Sequence, residues 1–281
     1  MLLLPEHYSL TPFEDATSII DDPELLRARA EESGYLFFAD LISGSRIDPV
    51  RAFESRLSAE YGWTEPDPEN RPYQLVRPGA RLDGHGWDDP RFIQLQSQVC
   101  THPAFRSLVL DERIMRILEI VYGEAADVAT MNQCWVKLPG NPEHTTLPHQ
   151  DTYYLPSCPR MWSVWFPLVD TPLEIGPLAV VPGSHQRVWP QANYLRGIDV
   201  PRDVVWATGP VHPGDVVAYG AATVHCAWSN VSQFNVRVAL DVRYEPMMTP
   251  DSILRPDIGN VEARSEDRPK LQSQVTANHR S

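Results

Sequence analysis

The sequence predicts a mainly β fold with flanking helices, and three observations carry that expectation. Thirteen of the 27 prolines fall between Pro139 and Pro213, which forbids long helices there. Short runs of strand-forming residues recur in the second half, separated by turn clusters such as Pro139-Gly140-Asn141-Pro142, Pro182-Gly183-Ser184 and Pro213-Gly214-Asp215. Ahead of residue 127 the pattern is helical instead. Many short strands punctuated in this way suggest an antiparallel sandwich or barrel, of which the jelly roll is one solution.

The helices are marked by their starts. Asp22-Pro23, Asp48-Pro49 and Asp89-Pro90 each place a capping side chain before a proline suited to the first helical position. They head helices over Glu24 to Glu32, Val50 to Tyr61 and Phe92 to Val99. In the second of these Val50, Phe53, Leu57 and Tyr61 share one face. Asp111 opens a further helix in which Ile114, Ile117, Leu118 and Val121 recur at helical spacing, closed by Gly123. Gly34 to Phe38 reads as a short strand between helices. Later strands are expected at Met131–Lys137, His149–Leu155, Met161–Leu168, Leu178–Val181, Asp215–Tyr219, Thr223–Trp228 and Val236–Tyr244. No glycine- or serine-rich linker separates the two halves. One domain is therefore expected over residues 1–254, with a helical part over 1–126 and a jelly-roll core over 127–246. Residues 255–281 are polar and poor in aromatics, and read as a flexible tail.

Composition narrows the function. The 281 residues are 42% hydrophobic and 22% charged, ordinary globular usage that excludes wholesale disorder. A net charge of −13 repels phosphate backbones, so no nucleic-acid partner is expected. Four cysteines without a CxxC pair do not make a disulfide framework, and a reduced, cytoplasmic protein is expected. No run approaches the roughly 18 apolar residues of a membrane span. Met1-Leu2-Leu3-Leu4-Pro5 lacks a basic leader and precedes Glu6, so it is not expected to be a secretory signal.

Two histidines lie inside expected strands. In His149-Gln150-Asp151, residues two apart share a face of a strand, so an imidazole and a carboxylate emerge together while Gln150 faces away. His225 follows in Thr223-Val224-His225-Cys226-Ala227-Trp228. Two histidines and one carboxylate are the facial triad of non-haem Fe(II) oxygenases, with positions left open for co-substrate and dioxygen. An HxD alone is common and usually a hydrogen-bonded pair with no metal. Beyond it, Val236, Val238, Leu240, Val242 and Tyr244 alternate with Arg237, Ala239, Asp241 and Arg243. The polar face of that strand is either solvated at a sheet edge or turned into a barrel, where Arg237 would clamp a carboxylate.

Together these motifs resemble the phytanoyl-CoA dioxygenase group of Fe(II)/2-oxoglutarate-dependent oxygenases, from roughly Met131 to Tyr244. The resemblance rests on Lys137-Leu138-Pro139-Gly140 before His149-Gln150-Asp151, and on Trp165 with Leu168 and Asp170. Gly176-Pro177-Leu178, Pro182-Gly183-Ser184-His185, Gly214-Asp215, and His225 with Asn230, Ser232 and Arg237 complete it. It implies a double-stranded β-helix (jelly-roll, cupin-like) core. His149, Asp151 and His225 match the iron ligands, and Arg237 matches the residue that pairs with the distal carboxylate of 2-oxoglutarate. Gln133 and Trp165 fall where the family places co-substrate contacts. Ala227 departs from the pattern, since relatives carry a serine hydroxyl there. The chemistry implied is oxidation at a C–H bond by O2, with release of succinate and CO2; hydroxylation of a small-molecule metabolite is expected, while desaturation or ring closure would use the same triad.

Other readings were weighed on the residues themselves. Ser184-His185 lacks the G-x-S-x-G elbow of a hydrolase. A cupin-type enzyme that does not use 2-oxoglutarate would leave Arg237 unexplained, and a non-catalytic binding protein on the same fold would consume no co-substrate. His144 is expected at the surface, and Cys226 is expected to face away from the metal. Tyr153, in phase with His149 and Asp151, is a candidate pocket wall, and Trp228, Arg77 and Trp87 are weaker ones.

Overall fold

A computed structural model of the chain describes residues 3–83, 86–129, 131–156, 158–191 and 197–248. The expected tail over 255–281 lies outside the described residues. Helices α1 (Pro23–Ser33), α2 (Gly44–Glu60), α3 (Pro90–Thr101), α4 (Pro103–Val109) and α5 (Glu112–Tyr122) occupy the first half. Three caps act as the sequence predicts. Asp22 accepts from the Glu24 and Leu25 amides, Asp89 from Arg91 N and Asp111 from Arg113 N. The Asp48-Pro49 start does not hold. Helix α2 begins at Gly44 and carries Pro49 inside it, because buried Ile47 extends the apolar face of Val50 back by a turn. Asp48 instead accepts from Arg51 Nη2 at 2.7 Å.

The strands are β1 (Ser9–Thr11), β2 (Tyr35–Phe38), β3 (Gln74–Leu75), β4 (Ala126–Val128), β5 (Gln133–Lys137) and β6 (Thr146–His149). They continue with β7 (Trp162–Pro167), β8 (Leu178–Val180), β9 (Val205–Ala207), β10 (Val216–Gly220), β11 (His225–Ala227) and β12 (Asn235–Pro246). Two sheets result. The smaller runs β1-β9-β8-β11-β6; the larger runs β2-β10-β7-β12, and the far edge of β12 is shared by β3, β5 and β4. Apart from the parallel β1–β9 pair, all of these pairings are antiparallel. The mainly β expectation is met, and the architecture is a jelly roll.

The alternation along β12 explains the layering. Val236, Val238, Leu240, Val242 and Tyr244 pack outward against the helices, in one cluster with Leu95, Val99, Phe105, Ile114 and Leu118. Ala239 faces the opposite way, into the space between the sheets, beside Trp165, Tyr219, Leu178 and Val180. Arg237, Asp241 and Arg243 share that inner side and are buried. Strand β12 is therefore central, and its polar face is an interior wall rather than a solvated edge.

The expected strand His149–Leu155 is a correction. Strand β6 ends at His149, and Asp151–Tyr153 form a 3₁₀ turn. The strand starts earlier, at Thr146, because Pro148 is tolerated where β6 forms the sheet edge and pairs only with β11.

Helix α2 also buries a carboxyl. Glu54 is fully enclosed and accepts from Ser58 Oγ and Gln74 Nε2. Burial pushes its pKa from 4.5 up to about 7, against the smaller opposing effect of the two hydrogen bonds. Folded protein thus keeps a proton that the unfolded chain has released, so stability falls as pH rises from 4.5 through 7. The full loss is about 3 kcal/mol. Thermal midpoints of wild type and Glu54→Gln between pH 5 and 8 should show this component removed in the variant; equal slopes would refute it.

Candidate metal centre

Strand pairing brings the two histidines together. Strands β6 and β11 are antiparallel, with His149 directly opposite His225, and the rings lie 4.1 Å apart between centroids. Each Nδ1 lies against a backbone carbonyl two residues back: Leu147 O at 2.8 Å and Thr223 O at 3.0 Å. A carbonyl only accepts, so both Nδ1 atoms donate and both Nε2 lone pairs are left free. Those Nε2 atoms lie 3.5 and 4.0 Å from Asp151 Oδ1. The possible ligand atoms of His149, Asp151 and His225 all fall within 4.8 Å of one another, the one such cluster found among the described residues that could hold a metal ion.

The route to this geometry differs from the strand argument. Asp151 reaches the histidines from the first residue of the 3₁₀ turn. Gln150 does turn away, donating to Arg187 O and Ala222 O and accepting from Trp189 N. Tyr154, not Tyr153, faces His149, with ring centroids 5.5 Å apart. The turn rotates successive side chains by far less than the half-turn of a strand, which shifts the phase by one residue.

The donor set suits a metal before any metal is present. Burial alone would raise the Asp151 carboxyl, but Arg243 and the two imidazoles hold it well below the usual carboxylate range. Burial, with His149 adding to it, pushes His225 down to about 3, so its imidazole is neutral and able to ligate. Arg243 Nη2 lies 3.9 Å from Asp151 Oδ1 and 3.4 Å from Asp241 Oδ2, while Arg243 Nη1 donates to Met131 O. Tyr219 donates to Asp241 Oδ1 at 3.1 Å.

A second feature is a pair of buried basic residues, of which Arg237 lines the same cavity. Arg237 and Lys137 are register partners on β12 and β5, and both are buried, at 1% and 2% exposure. Arg237 Nη1 donates to Gly176 O at 3.2 Å, and its Nε has no hydrogen-bond partner among the described residues. Lys137 Nζ donates to Thr146 Oγ1 at 2.7 Å. Neither forms an ion pair among the described residues. Burial lowers Arg237 to about 10 and pulls Lys137 well below the usual ammonium range, an effect that Arg237 compounds. Gly176 has φ +82°, and a Cβ there would collide with the Trp228 carbonyl, so a glycine brings its own carbonyl to the guanidinium.

Gln133, Trp165, Leu178, Tyr219 and the two histidines line the cavity with Arg237, Asp241 and Arg243. Gln133 and Trp165 flank Asp241 in register, and the Arg237 guanidinium carbon lies 5.8 Å from the Trp165 ring centre. Three polar residues of this wall escaped the sequence reading: Thr146, whose hydroxyl accepts from Lys137, and Asp241 and Arg243 as neighbours of the triad. The alternation in β12 carried a signal for the last two. Ala227 does sit in the wall, opposite Thr146 in the β11–β6 register.

Several other residues are structural. Ser184 Oγ donates to Val181 O and accepts from Val224 N, while His185 Nε2 lies 3.0 Å from Glu31 O, so the pair is not a nucleophile and base. His144 is buried at 4% exposure rather than at the surface, packed edge-on to Phe92. Trp228 packs on the outer side of the smaller sheet with Trp206 and Cys226, away from the cavity. Trp87 reaches the cavity only through Trp135, which it meets edge-on at 6.1 Å. The four cysteines are buried and form no disulfide among the described residues. No helix among the described residues is long and apolar enough to cross a membrane.

A jelly roll with two imidazoles and a carboxylate converging in its cavity defines the class of Fe(II)- and 2-oxoglutarate-dependent oxygenases. The profile of the phytanoyl-CoA dioxygenase (PhyH) family matches residues 31–239, and the chain belongs to that family. It is 24% identical over 263 residues to the 1-deoxypentalenic acid 11-beta-hydroxylase of Streptomyces arenae, covering 85% of this chain and 86% of the relative. The fold is similar to that of SnoN, a non-heme alpha ketoglutarate dependent epimerase from nogalamycin biosynthesis. That match has TM-score 0.56 and 20% identity, over 85% of this chain and 92% of the other. It is also similar to EctD from S. alaskensis, crystallised with 2-oxoglutarate and 5-hydroxyectoine. Here the TM-score is 0.57 at 17% identity, covering 88% of each chain.

Proposed function

We propose that this enzyme hydroxylates a C–H bond of a small-molecule metabolite, of the natural-product kind, within a single oxygenase unit spanning residues 1–254. The carrying observation is the convergence of His149, Asp151 and His225 at a cavity that is also lined by Arg237, a buried cation with no ion-pair partner among the described residues. His149 Nε2, His225 Nε2 and Asp151 Oδ1 would hold ferrous iron. Arg237 would pair with the distal carboxylate of 2-oxoglutarate, a task for which a guanidinium fork is suited. Thr146 and Lys137 stand beside Ala227 and supply the polar contacts that a serine gives in relatives. Gln133 and Trp165 would flank the co-substrate. When bound, iron and 2-oxoglutarate supply dioxygen activation, with succinate and CO2 released.

The chain's own part is to orient the co-substrate and shelter it from water. The buried cations also separate this reading from a cupin that works without 2-oxoglutarate, which would have no anion to neutralise them. The hydroxylase activity of the Streptomyces relative supports the substrate class. Anaerobic Fe(II) with 2-oxoglutarate should produce a weak visible charge-transfer band, and admitting air should release succinate. Metabolites that accelerate succinate formation identify the substrate. A protein that develops no band and releases no succinate would overturn the proposal.

A further inference from the structure

The two oxygens of Asp151 sit in different surroundings. Oδ1 faces both imidazole Nε2 atoms and the Arg243 guanidinium. Oδ2 accepts a hydrogen bond from Ser163 Oγ at 3.2 Å. Ser163 is fully buried on β7, in the middle of the larger sheet, between Tyr219 of β10 and Arg243 of β12. Asp151 lies in a turn just beyond the edge strand of the smaller sheet. The hydrogen bond therefore ties a carboxylate on a short irregular segment to a strand paired on both sides in the opposite sheet.

We propose that Ser163 is a positioning residue for the metal, an inference that rests on the iron site described above. Its hydroxyl occupies Asp151 Oδ2 and leaves Oδ1 alone to ligate, so the carboxylate takes one coordination position and the others stay open. A carboxylate released from that bond is free to turn and offer both oxygens. The neighbouring histidines receive equivalent support from Leu147 O and Thr223 O, so Ser163 completes an outer shell in which each of the three ligands is held by one partner. A second serine hydroxyl, on Ser184, is spent on the backbone and has no such part.

The test uses metal-free protein, with Mn(II) affinity read from the electron paramagnetic resonance of free ion and Co(II) coordination read from its visible spectrum. Wild type should bind both. Ser163→Ala should bind Mn(II) about 10–100-fold more weakly and change the intensity of the Co(II) bands, which respond to coordination number. Ser163→Thr keeps the donor and should restore both readouts. Ser163→Cys conserves volume but donates weakly, and should behave as the alanine variant even if alanine itself compromises folding. Wild-type affinity and an unchanged Co(II) spectrum in the alanine and cysteine variants would overturn the role of Ser163. Failure of wild type to bind either ion would instead overturn the metal site itself.

Discussion

Asp151→Ala should abolish the anaerobic visible band with Fe(II) and 2-oxoglutarate and reduce succinate release to background. The substitution removes the anionic member of the cluster and leaves the two imidazoles. It also leaves Arg243, now 3.9 Å from an empty position, with Asp241 as its remaining counter-charge. A dication entering that site would meet a buried guanidinium without the carboxylate that screened it. Removing one partner of a buried charge pair costs about 3–5 kcal/mol, which corresponds to a metal affinity at least about a hundredfold weaker. Retention of the band in Asp151→Ala would mean that the metal lies elsewhere. The same variant at fixed pH separates this from a folding defect, because far-ultraviolet circular dichroism should stay that of wild type.

Arg237→Met should raise the 2-oxoglutarate concentration needed for half-maximal succinate release by about a hundredfold or more, with Fe(II) binding in the absence of 2-oxoglutarate unchanged. The physical basis is the pair of buried cations. Arg237 and Lys137 are register partners, both enclosed, and neither has an ion-pair partner among the described residues. Burial without an anion holds Arg237 at about 10 and Lys137 well below its ordinary range, and Arg237 adds to the effect on Lys137. Adding 2-oxoglutarate to wild type should therefore raise the thermal midpoint. The variant should lose that response while its ligand-free midpoint does not fall, because one of two unscreened charges has gone. An unchanged co-substrate requirement would refute the placement of the distal carboxylate. A drop in ligand-free stability would show instead that Arg237 serves the fold through Gly176.

Much of the site is legible along the chain because it depends on short spacings. The separation of His149 from Asp151 by one residue, and the alternation from Val236 to Tyr244, are local patterns that survive without knowledge of partners. The phase of the first was nonetheless misjudged. A strand through Leu155 and a 3₁₀ turn at Asp151–Tyr153 both place the two ligands close, yet they send different tyrosines toward the metal. Strands β1, β3, β4 and β9 have two or three residues each, too few for a pattern; β3 and β4 form along the edge of the 12-residue β12, and β1 and β9 pair with each other. Helix α2 passes through Pro49 because burial of Ile47 outweighs one lost backbone hydrogen bond.

Local chemistry along the chain determined the jelly-roll class, the helix caps at Asp22, Asp89 and Asp111, and the three side chains of the candidate metal site. Only the tertiary structure decided which face of β12 lies inside, that Lys137 and Thr146 stand beside Ala227, and that Arg243 and Ser163 divide the two oxygens of Asp151 between them. The reason is distance along the polypeptide: Ser163 is 12 residues from Asp151 and Lys137 is a hundred from Arg237. Such neighbours are made by sheet register, which is set by the sum of many strand pairings and is written in no single segment.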